Sequence, residues 1–156
     1  MLAVDIPGFG NLRVAHLVLD YNGTLAEDGN LLDGVAPRLR ALSAKLSIHV
    51  VTADTFGSAA QELAGLPLQL VVVADSDQTQ AKLKFVQHLD ASSVVAIVNG
   101  QNDRKMAGAV ALAVAVVQRE GAAVATLAET DVVARGIVEP LELLQNPMRL
   151  VATLGA

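Results

Sequence analysis

The sequence predicts a single α/β domain with a mostly parallel central sheet. Short apolar segments of strand length alternate with segments of helical periodicity along the 156 residues. Three of the apolar segments end on a polar residue, namely Asp20, Thr52 and Asn99. Parallel strands carry their carboxyl ends at one edge of the sheet, so these side chains are expected to converge there. One domain spanning residues 1–156 suits this length.

The first segments predict strands. Residues 2–6 and 11–15 flank Pro-Gly-Phe-Gly and could pair as a small amino-terminal hairpin within residues 2–15. Residues 16–20 form a short apolar run of the buried-strand kind. The pair Asn22-Gly23 follows directly and is a hairpin signal. The next residues, AEDGNLLDG, lack strand periodicity, so we expect no hairpin turn at Asn22-Gly23.

Helices and strands then alternate. Apolar residues recur at helical spacing from Val35 to Leu46, with Pro37 in the first turn. We interpret residues 110–117 as the fifth strand, although the alanines within them leave a helix possible. The remaining predicted elements are strands at 46–52, 68–73 and 93–98, helices at 58–64, 80–89, 138–144 and 147–154, a helix opened by NGQNDRKM, and a short apolar piece near Val132.

Composition narrows the possible partners and sites. The chain has no Cys, which excludes disulfides and thiolate metal sites. Its net charge is −5 and no Lys/Arg cluster is present, so neither nucleic acid nor an anionic membrane is expected as the main partner. No signal peptide is expected, and the most apolar stretch, residues 106–117, is shorter than the ~20 residues of a spanning helix. These features predict a cytoplasmic protein.

An excess of apolar residues predicts a homo-oligomer or a large partner. Hydrophobic residues make up 53% of the chain and charged residues 17%. This hydrophobic content is high for a small monomer, because a small protein exposes a large fraction of its residues to water. Residues 132–154 are rich in Val and Leu and are the candidate contact surface.

The polar residues near the strand ends fit phosphoryl transfer. A carboxylate such as Asp20 can attack phosphorus and form an aspartyl-phosphate. Thr52 could hydrogen-bond a phosphoryl oxygen, and Lys82 could supply a cation for developing charge. Asp103, together with Asp20 and neutral oxygens, could hold Mg²⁺. Gly23 would let the backbone approach the phosphate closely.

Four motifs resemble those of the haloacid dehalogenase superfamily. DYNGTL, from Asp20, resembles the family's first motif, D-x-D-G-T-L. VVTAD resembles the second motif, a strand ending in Thr or Ser, and KLKFV resembles the third motif in its P-type ATPase-like setting. NGQND resembles the fourth motif, G-D-G-x-N-D. The motifs follow the family's order between Leu17 and Val117, and the pattern is most similar to soluble proteins that resemble the P-type ATPase phosphorylation domain.

The resemblance implies a Rossmann-like three-layer sandwich with strand order 5-4-1-2-3 and a Mg²⁺-dependent phosphatase or phosphotransferase that acts on a phosphorylated substrate. It implies that Asp20 is the nucleophile and that Thr52 binds phosphate. Lys82 becomes the charge-stabilising lysine, with Lys84 a less favoured substitute. The implied Mg²⁺ ligands are Asp20, the backbone carbonyl of Asn22, Asn99 and Asp103.

Two residues depart from the family's pattern. Asn22 stands where the phosphatases have an Asp that protonates the leaving group and then activates water, and an amide can do neither. Asn99 stands where an Asp normally ligates the metal, so one negative charge near Mg²⁺ is missing. We therefore expect weak metal binding and slow turnover. The alternative is a non-catalytic regulatory or interaction module that retains the fold.

The intervals between the motifs leave no room for a cap domain. Family members carry their caps between the first and second motifs or between the second and third. Here the first interval holds AEDGNLLDG and one predicted helix, and the second holds one helix and one strand. The site is therefore expected to be open to water unless a substrate, a partner or a second subunit covers it.

Overall fold

The computed structural model of the protein describes residues 1–53 and 57–156. Asp54, the last residue of VVTAD, lies outside the described residues. The strands are β1 (Leu2–Ile6), β2 (Gly10–Val14), β3 (His16–Asp20), β4 (Ala26–Glu27), β5 (Asn30–Leu31), β6 (Ser47–Thr52), β7 (Gln69–Val72), β8 (Val94–Val98), β9 (Leu112–Val116) and β10 (Val132–Ala134). The α-helices are α1 (Val35–Leu42), α2 (Ser58–Glu62), α3 (Gln78–His88), α4 (Arg104–Ala109), α5 (Val124–Leu127), α6 (Val138–Gln145) and α7 (Met148–Leu154). None of the helices in these ranges has the length and apolar character that crossing a membrane requires.

Six strands form the central sheet in the order β10-β9-β8-β3-β6-β7, and every neighbouring pair is parallel. The five strands from β9 to β7 have the predicted order 5-4-1-2-3, so the predicted fold class is confirmed. β10 extends the sheet by one strand beyond that order. Residues 110–117 contain the strand β9 and not the alternative helix. All five residues of β9 are buried.

The two faces of the sheet carry separate apolar clusters. In β3, Leu17 and Leu19 belong to the cluster formed with α1, α6, α7 and the β1–β2 hairpin. Val18 points to the opposite face and packs with residues of α3 and α4. Since side chains alternate along a strand, Asp20 shares the face of Val18. The nucleophile predicted from the sequence therefore lies on the side of the sheet that α3 and α4 cover.

The amino-terminal strands β1 and β2 pair antiparallel, with Leu2 opposite Val14 and Ile6 opposite Gly10. Their inward side chains alternate with exposed ones and join the larger apolar cluster. The hairpin also contacts the other end of the chain, because the backbone N–H of Ala156 donates to the carbonyl of Pro7 at 2.8 Å.

As predicted, Asn22-Gly23 does not join two paired strands, because β3 lies in the central sheet and β4 pairs with β5. A short hairpin that the sequence did not reveal lies within AEDGNLLDG. β4 and β5 pair antiparallel around Asp28-Gly29, whose φ angles are 51° and 82°. Two consecutive positive φ values at Asp-Gly are those of the tight type I′ turn. Each strand has only two residues, which is too short to show the alternation by which strands are recognised.

The expectation that residues 132–154 form a contact surface is contradicted for most of their apolar side chains. Val132, Leu141, Leu144 and Leu150 are buried in the protein's own core, because β10, α6 and α7 cover one end of the sheet. Met148 and the outward side of β10 remain exposed.

Candidate functional site

A polar cavity of about 290 Å³ opens at the carboxyl edge of the sheet. Five of the seven predicted site residues line it: Asp20, Asn22, Thr52, Lys82 and Asn99. Asp20, Thr52 and Asn99 come from the ends of β3, β6 and β8, as the topology predicts. The other lining residues are Ala53, Asp75, Gln78, Gly100 and Asn102, whereas the two remaining predicted residues, Gly23 and Asp103, do not line it.

Lys82 is the central cation of the cavity. It is buried on α3, and its Nζ donates to Asp20 Oδ1 at 2.8 Å, Asp103 Oδ1 at 2.8 Å and Asn102 Oδ1 at 2.9 Å. Burial lowers the pKa of Lys82, but the two carboxylates outweigh burial and raise that pKa above its ordinary value. Lys82 therefore stays charged. The alternative lysine, Lys84, is exposed on the same helix.

The contacts of Asp103 favour a role different from the predicted one. Its Oδ1 accepts from Lys82, and its Oδ2 accepts from the backbone N–H groups of Asn99 and Gly100 at 3.3 and 3.0 Å. The side chain is fully buried, and both oxygens are engaged within the protein. Asp103 thus holds Lys82 and the loop after β8 in place, and it does not line the cavity.

The carboxyl group of Asp20 lies in an environment that opposes its charge. Burial and the nearby Asp103 carboxylate raise the pKa of Asp20 to about 7, although Lys82 acts in the opposite direction. One oxygen, Oδ1, is held by Lys82, and the other, Oδ2, is 3.4 Å from the hydroxyl of Thr24. Additional positive charge near Oδ2 would favour the ionised form that a nucleophile needs.

The oxygens around Thr24 fit a hard divalent cation. The Thr24 hydroxyl reaches both Asp20 Oδ2, at 3.4 Å, and Asn99 Oδ1, at 3.1 Å, but it can donate its single hydrogen to only one of them. Two acceptor oxygens of residues that line the cavity therefore lie close together beside Thr24. Mg²⁺ prefers such oxygen ligands and completes its shell with waters and phosphate oxygens. Among the described residues no group of three acidic or histidine side chains could hold a metal, so any metal here depends on neutral oxygens.

Asn99 is held in one orientation by the segment after β9. Its Nδ2 donates to the carbonyl of Gly121 at 3.2 Å, which leaves Oδ1 directed toward Thr24 and Asp20. A carbonyl can only accept, so this contact fixes which end of the amide faces the cavity. The backbone N–H of Ala123 also donates to the carbonyl of Asn99 at 2.8 Å. Hydrogen bonds from both the side chain and the backbone therefore attach Asn99 to the segment that contains Gly121 and Ala123.

Replacing Asn99 with aspartate is expected to have two opposite effects. In EDTA, the loss of the Gly121 hydrogen bond should lower the free energy of unfolding by about 1–3 kcal/mol. With Mg²⁺, the added charge should tighten metal binding by about tenfold, equal to about 1.4 kcal/mol. Chemical denaturation and a calorimetric Mg²⁺ titration measure these effects. The same change at the exposed Asn30 should alter neither quantity, and unchanged Mg²⁺ affinity in Asn99→Asp would show that Asn99 is not a ligand.

Gly23 stabilises the turn after β3, and its contacts do not support the predicted phosphate contact. Its N–H donates to the carbonyl of Ala26 at 3.0 Å, and its carbonyl accepts from Gln118 Nε2 at 3.0 Å. Its φ is +79°, and a Cβ at this position would collide with the side chain of Asn99. Glycine is therefore required for the backbone conformation and for the packing of Asn99.

Three residues that support the site were not singled out from the sequence. Thr24 follows Gly23 in the first motif and bridges Asp20 and Asn99, so its place in the motif was an available signal. Gln118 ties the turn to the start of α6, because its Nε2 donates to the carbonyl of Thr24 at 2.9 Å and its Oε1 accepts from the N–H of Ile137 at 3.0 Å. Asn102, which bonds Lys82 through Oδ1, donates from Nδ2 to Gln78 at 2.9 Å.

No family model matches the chain. Two proteins of Methanocaldococcus jannaschii share sequence with it, and both are named as uncharacterized. MJ0072 is 44% identical over 39 residues, which are 25% of this chain and 89% of that protein. MJ0073 is 36% identical over 77 residues, which are 47% of this chain and 83% of that protein. Identity at this level over most of their length places the chain in the same family as these two proteins.

Solved structures of similar fold include two phosphatases and a proposed hydrolase. The 3-deoxy-D-manno-octulosonate 8-phosphate phosphatase of Moraxella catarrhalis, solved with magnesium, phosphate and KDO, aligns with a TM-score of 0.71 at 15% identity, covering 90% of this chain and 92% of that one. The cobalt-bound phosphatase of Haemophilus influenzae aligns with a TM-score of 0.71 at 12% identity, covering 92% and 94%. A proposed HAD superfamily (subfamily III A) hydrolase of Legionella pneumophila aligns with a TM-score of 0.73 at 15% identity, covering 92% and 88%. The resemblance predicted from the motifs is confirmed at the level of the fold.

Proposed function

We propose that this chain, which belongs to the family of MJ0072 and MJ0073 and has the haloacid dehalogenase fold, is a divalent-metal-dependent phosphohydrolase that acts slowly through an aspartyl-phosphate on Asp20. The observation that carries the proposal is the contact of Asp20 Oδ1 with the buried ammonium of Lys82 at 2.8 Å, at the base of a polar cavity. In this arrangement the Asp20 carboxylate can attack phosphorus. The Lys82 ammonium can stabilise the negative charge that develops during the attack.

In the first step a carboxylate oxygen of Asp20 attacks phosphorus. The bond between phosphorus and the ester oxygen breaks, and its electron pair leaves with that oxygen, which takes its proton from water because Asn22 has none to give. Lys82 stabilises the negative charge of the transferring group. Thr52 lines the cavity at the end of β6, and its hydroxyl would donate to a phosphoryl oxygen.

In the second step water attacks the phosphorus of phospho-Asp20, the acyl-phosphate bond breaks, and the Asp20 carboxylate returns together with inorganic phosphate and a proton. The proton must pass to bulk solvent, because the side chain of Asn22 cannot accept it. This step is therefore the slower one, and the phosphoenzyme should accumulate.

The residues present fit a divalent metal, and we propose Mg²⁺ as the ion. Asp20 Oδ2, Asn99 Oδ1 and the backbone carbonyl of Asn22 would hold it. When bound, it supplies positive charge that neutralises the phosphate oxygens. Only one of these three protein oxygens carries a negative charge, so a high Mg²⁺ concentration should be needed for full activity.

Hydrolysis of an aryl phosphate, followed by phosphate release, tests the proposal. We expect a burst followed by a slow steady state, activity that requires Mg²⁺ and is lost in EDTA, and no activity in Asp20→Asn. Mass spectrometry after an acid quench should find phosphate on Asp20. If hydrolysis persists unchanged in Asp20→Asn, it does not come from this site. If the wild type is inactive at high Mg²⁺, the alternative of a non-catalytic regulatory or interaction module replaces the proposal.

We also propose that the chain acts as a homo-oligomer. The two edge strands of the sheet each carry an exposed valine, Val72 on β7 and Val133 on β10, with 60% and 58% of their surfaces accessible. Exposed edges of this kind can pair with a second chain. Light scattering at micromolar concentration measures the mass, and a value near the 16.2 kDa of one chain would contradict this proposal.

A further inference from the structure

We infer that the substrate is a small phosphate monoester whose non-phosphate part is uncharged or cationic, and that the cavity disfavours a second anionic group. This inference rests on the proposed function and specifies the substrate class of the same site. It follows from the charges and the polar groups that line the cavity.

The cavity offers no free cation to a second anionic group. Lys82 is the one Lys or Arg among the described residues that line it. All three N–H groups of its ammonium are already donated to Asp20, Asn102 and Asp103. Residues 54–56, which lie outside the described ranges, are Asp, Thr and Phe and contain no cation. A carboxylate or a second phosphate on the substrate would therefore lose its hydration without gaining an ionic partner.

The balance of fixed charge opposes a second anion. When Asp20 is in the ionised form that attack on phosphorus requires, Asp20 and Asp103 place two negative charges against the single positive charge of Lys82. Asp75 adds another negative charge to the cavity wall. The charge of a divalent cation is matched by that of one phosphate dianion, so the site stays negative when both are bound. Asp75 is exposed and accepts from Gln78 Nε2 at 3.3 Å. It would attract a substrate ammonium group and repel a carboxylate.

The neutral part of the wall suits hydroxyl and amine groups. Asn22, Gln78 and Asn102 present amides, and Thr52 presents a hydroxyl, so donors and acceptors of both kinds are available. The cavity volume of about 290 Å³ is at the lower limit of the ~300–1,000 Å³ typical of ligand pockets. The octulosonate named in the similar phosphatase structures is a carboxylate, so we expect its phosphate ester to be a poor substrate here.

Three two-carbon phosphate esters test this inference: phosphoethanolamine, 2-hydroxyethyl phosphate and phosphoglycolate, whose second groups are cationic, neutral and anionic. In Mg²⁺ at low ionic strength, kcat/KM for phosphate release should be about tenfold lower for phosphoglycolate than for phosphoethanolamine. Added salt should narrow this gap. Because the three alcohols also differ as leaving groups, the decisive comparison is the same ratio in Asp75→Asn, where we expect it to fall by about two- to fivefold.

Asp77→Asn is the matched control. It removes the same charge two residues away, and asparagine can retain the cap that Asp77 provides by accepting from the N–H of Gln80. Its substrate ratio should equal that of the wild type. A wild type that prefers phosphoglycolate, or a ratio that Asp75→Asn leaves unchanged, would overturn the inference while leaving hydrolysis through Asp20 intact.

Calorimetric binding of the three esters to Asp20→Asn in Mg²⁺ separates this inference from the proposed function. If the wild type hydrolyses neither an aryl phosphate nor any of the esters, the proposed function fails, but the binding order still tests the charge preference. Binding in the order cationic, neutral, anionic supports the inference. Tightest binding of phosphoglycolate, or no binding of any ester, overturns it.

Discussion

Replacing Lys82 with methionine is expected to lower the free energy of unfolding by about 3–5 kcal/mol and to abolish phosphoryl transfer. Methionine can fill much of the same space, but it leaves the carboxylates of Asp20 and Asp103 without the ammonium that now lies 2.8 Å from each. It also removes the cation that we propose stabilises the transferring phosphoryl group. Chemical denaturation in EDTA at pH 8, together with aryl phosphate hydrolysis in Mg²⁺, measures the two effects.

Lys84→Met is the matched control, because Lys84 is exposed two residues further along α3. The stability of this variant should stay within about 0.5 kcal/mol of the wild type. The double variant Lys82→Met with Asp20→Asn should recover part of the lost stability, since one of the two uncompensated carboxylates is gone. If the losses of the two single variants simply add, the three side chains do not act as one ionic unit.

The location of the site could be predicted from the sequence because it depends on topology. Asp20, Thr52 and Asn99 each end an apolar run, and parallel strands place such ends at one edge of the sheet. Lys82 was a candidate because it is a cation that phosphoryl transfer could use and because its motif resembles the family's third motif. Its position on α3 carries no local sign that it would be buried against two carboxylates, because that contact joins residues separated by 62 and 21 positions.

Short elements and hydrogen bonds between residues distant in sequence could not be predicted from the sequence. β4 and β5 are too short for a periodicity of two to be visible. The roles expected of Gly23 and Asp103 assumed that their polar groups faced the ligand. In the folded chain the backbone groups of Gly23 form hydrogen bonds with Ala26 and Gln118. The carboxylate of Asp103 accepts hydrogen bonds from Lys82 and from backbone amides. A residue's type and place in a motif do not specify which partner takes its hydrogen bonds.

Asn22 lies two residues after the proposed nucleophile, Asp20. Asn22 is exposed and lines the cavity beside Asp20, where a carboxylate could protonate the leaving group and then accept a proton from water. Asn22→Asp is expected to raise steady-state turnover by about 10²–10⁴-fold, the usual contribution of general acid–base catalysis. The effect should be larger on hydrolysis of phospho-Asp20 than on its formation from an aryl phosphate, because an aryl leaving group needs little protonation.

Rapid-quench kinetics with an aryl phosphate distinguish the two steps. In Asn22→Asp the burst should shrink or disappear, because the phosphoenzyme no longer accumulates, and its lifetime measured after dilution should shorten in proportion to the gain in turnover. The double variant Asn22→Asp with Asp20→Asn is the control and should be inactive, since the new carboxylate has no phosphoenzyme on which to act. Unchanged turnover in Asn22→Asp, with the variant folded and still binding Mg²⁺, would contradict the proposal that the amide at position 22 limits turnover.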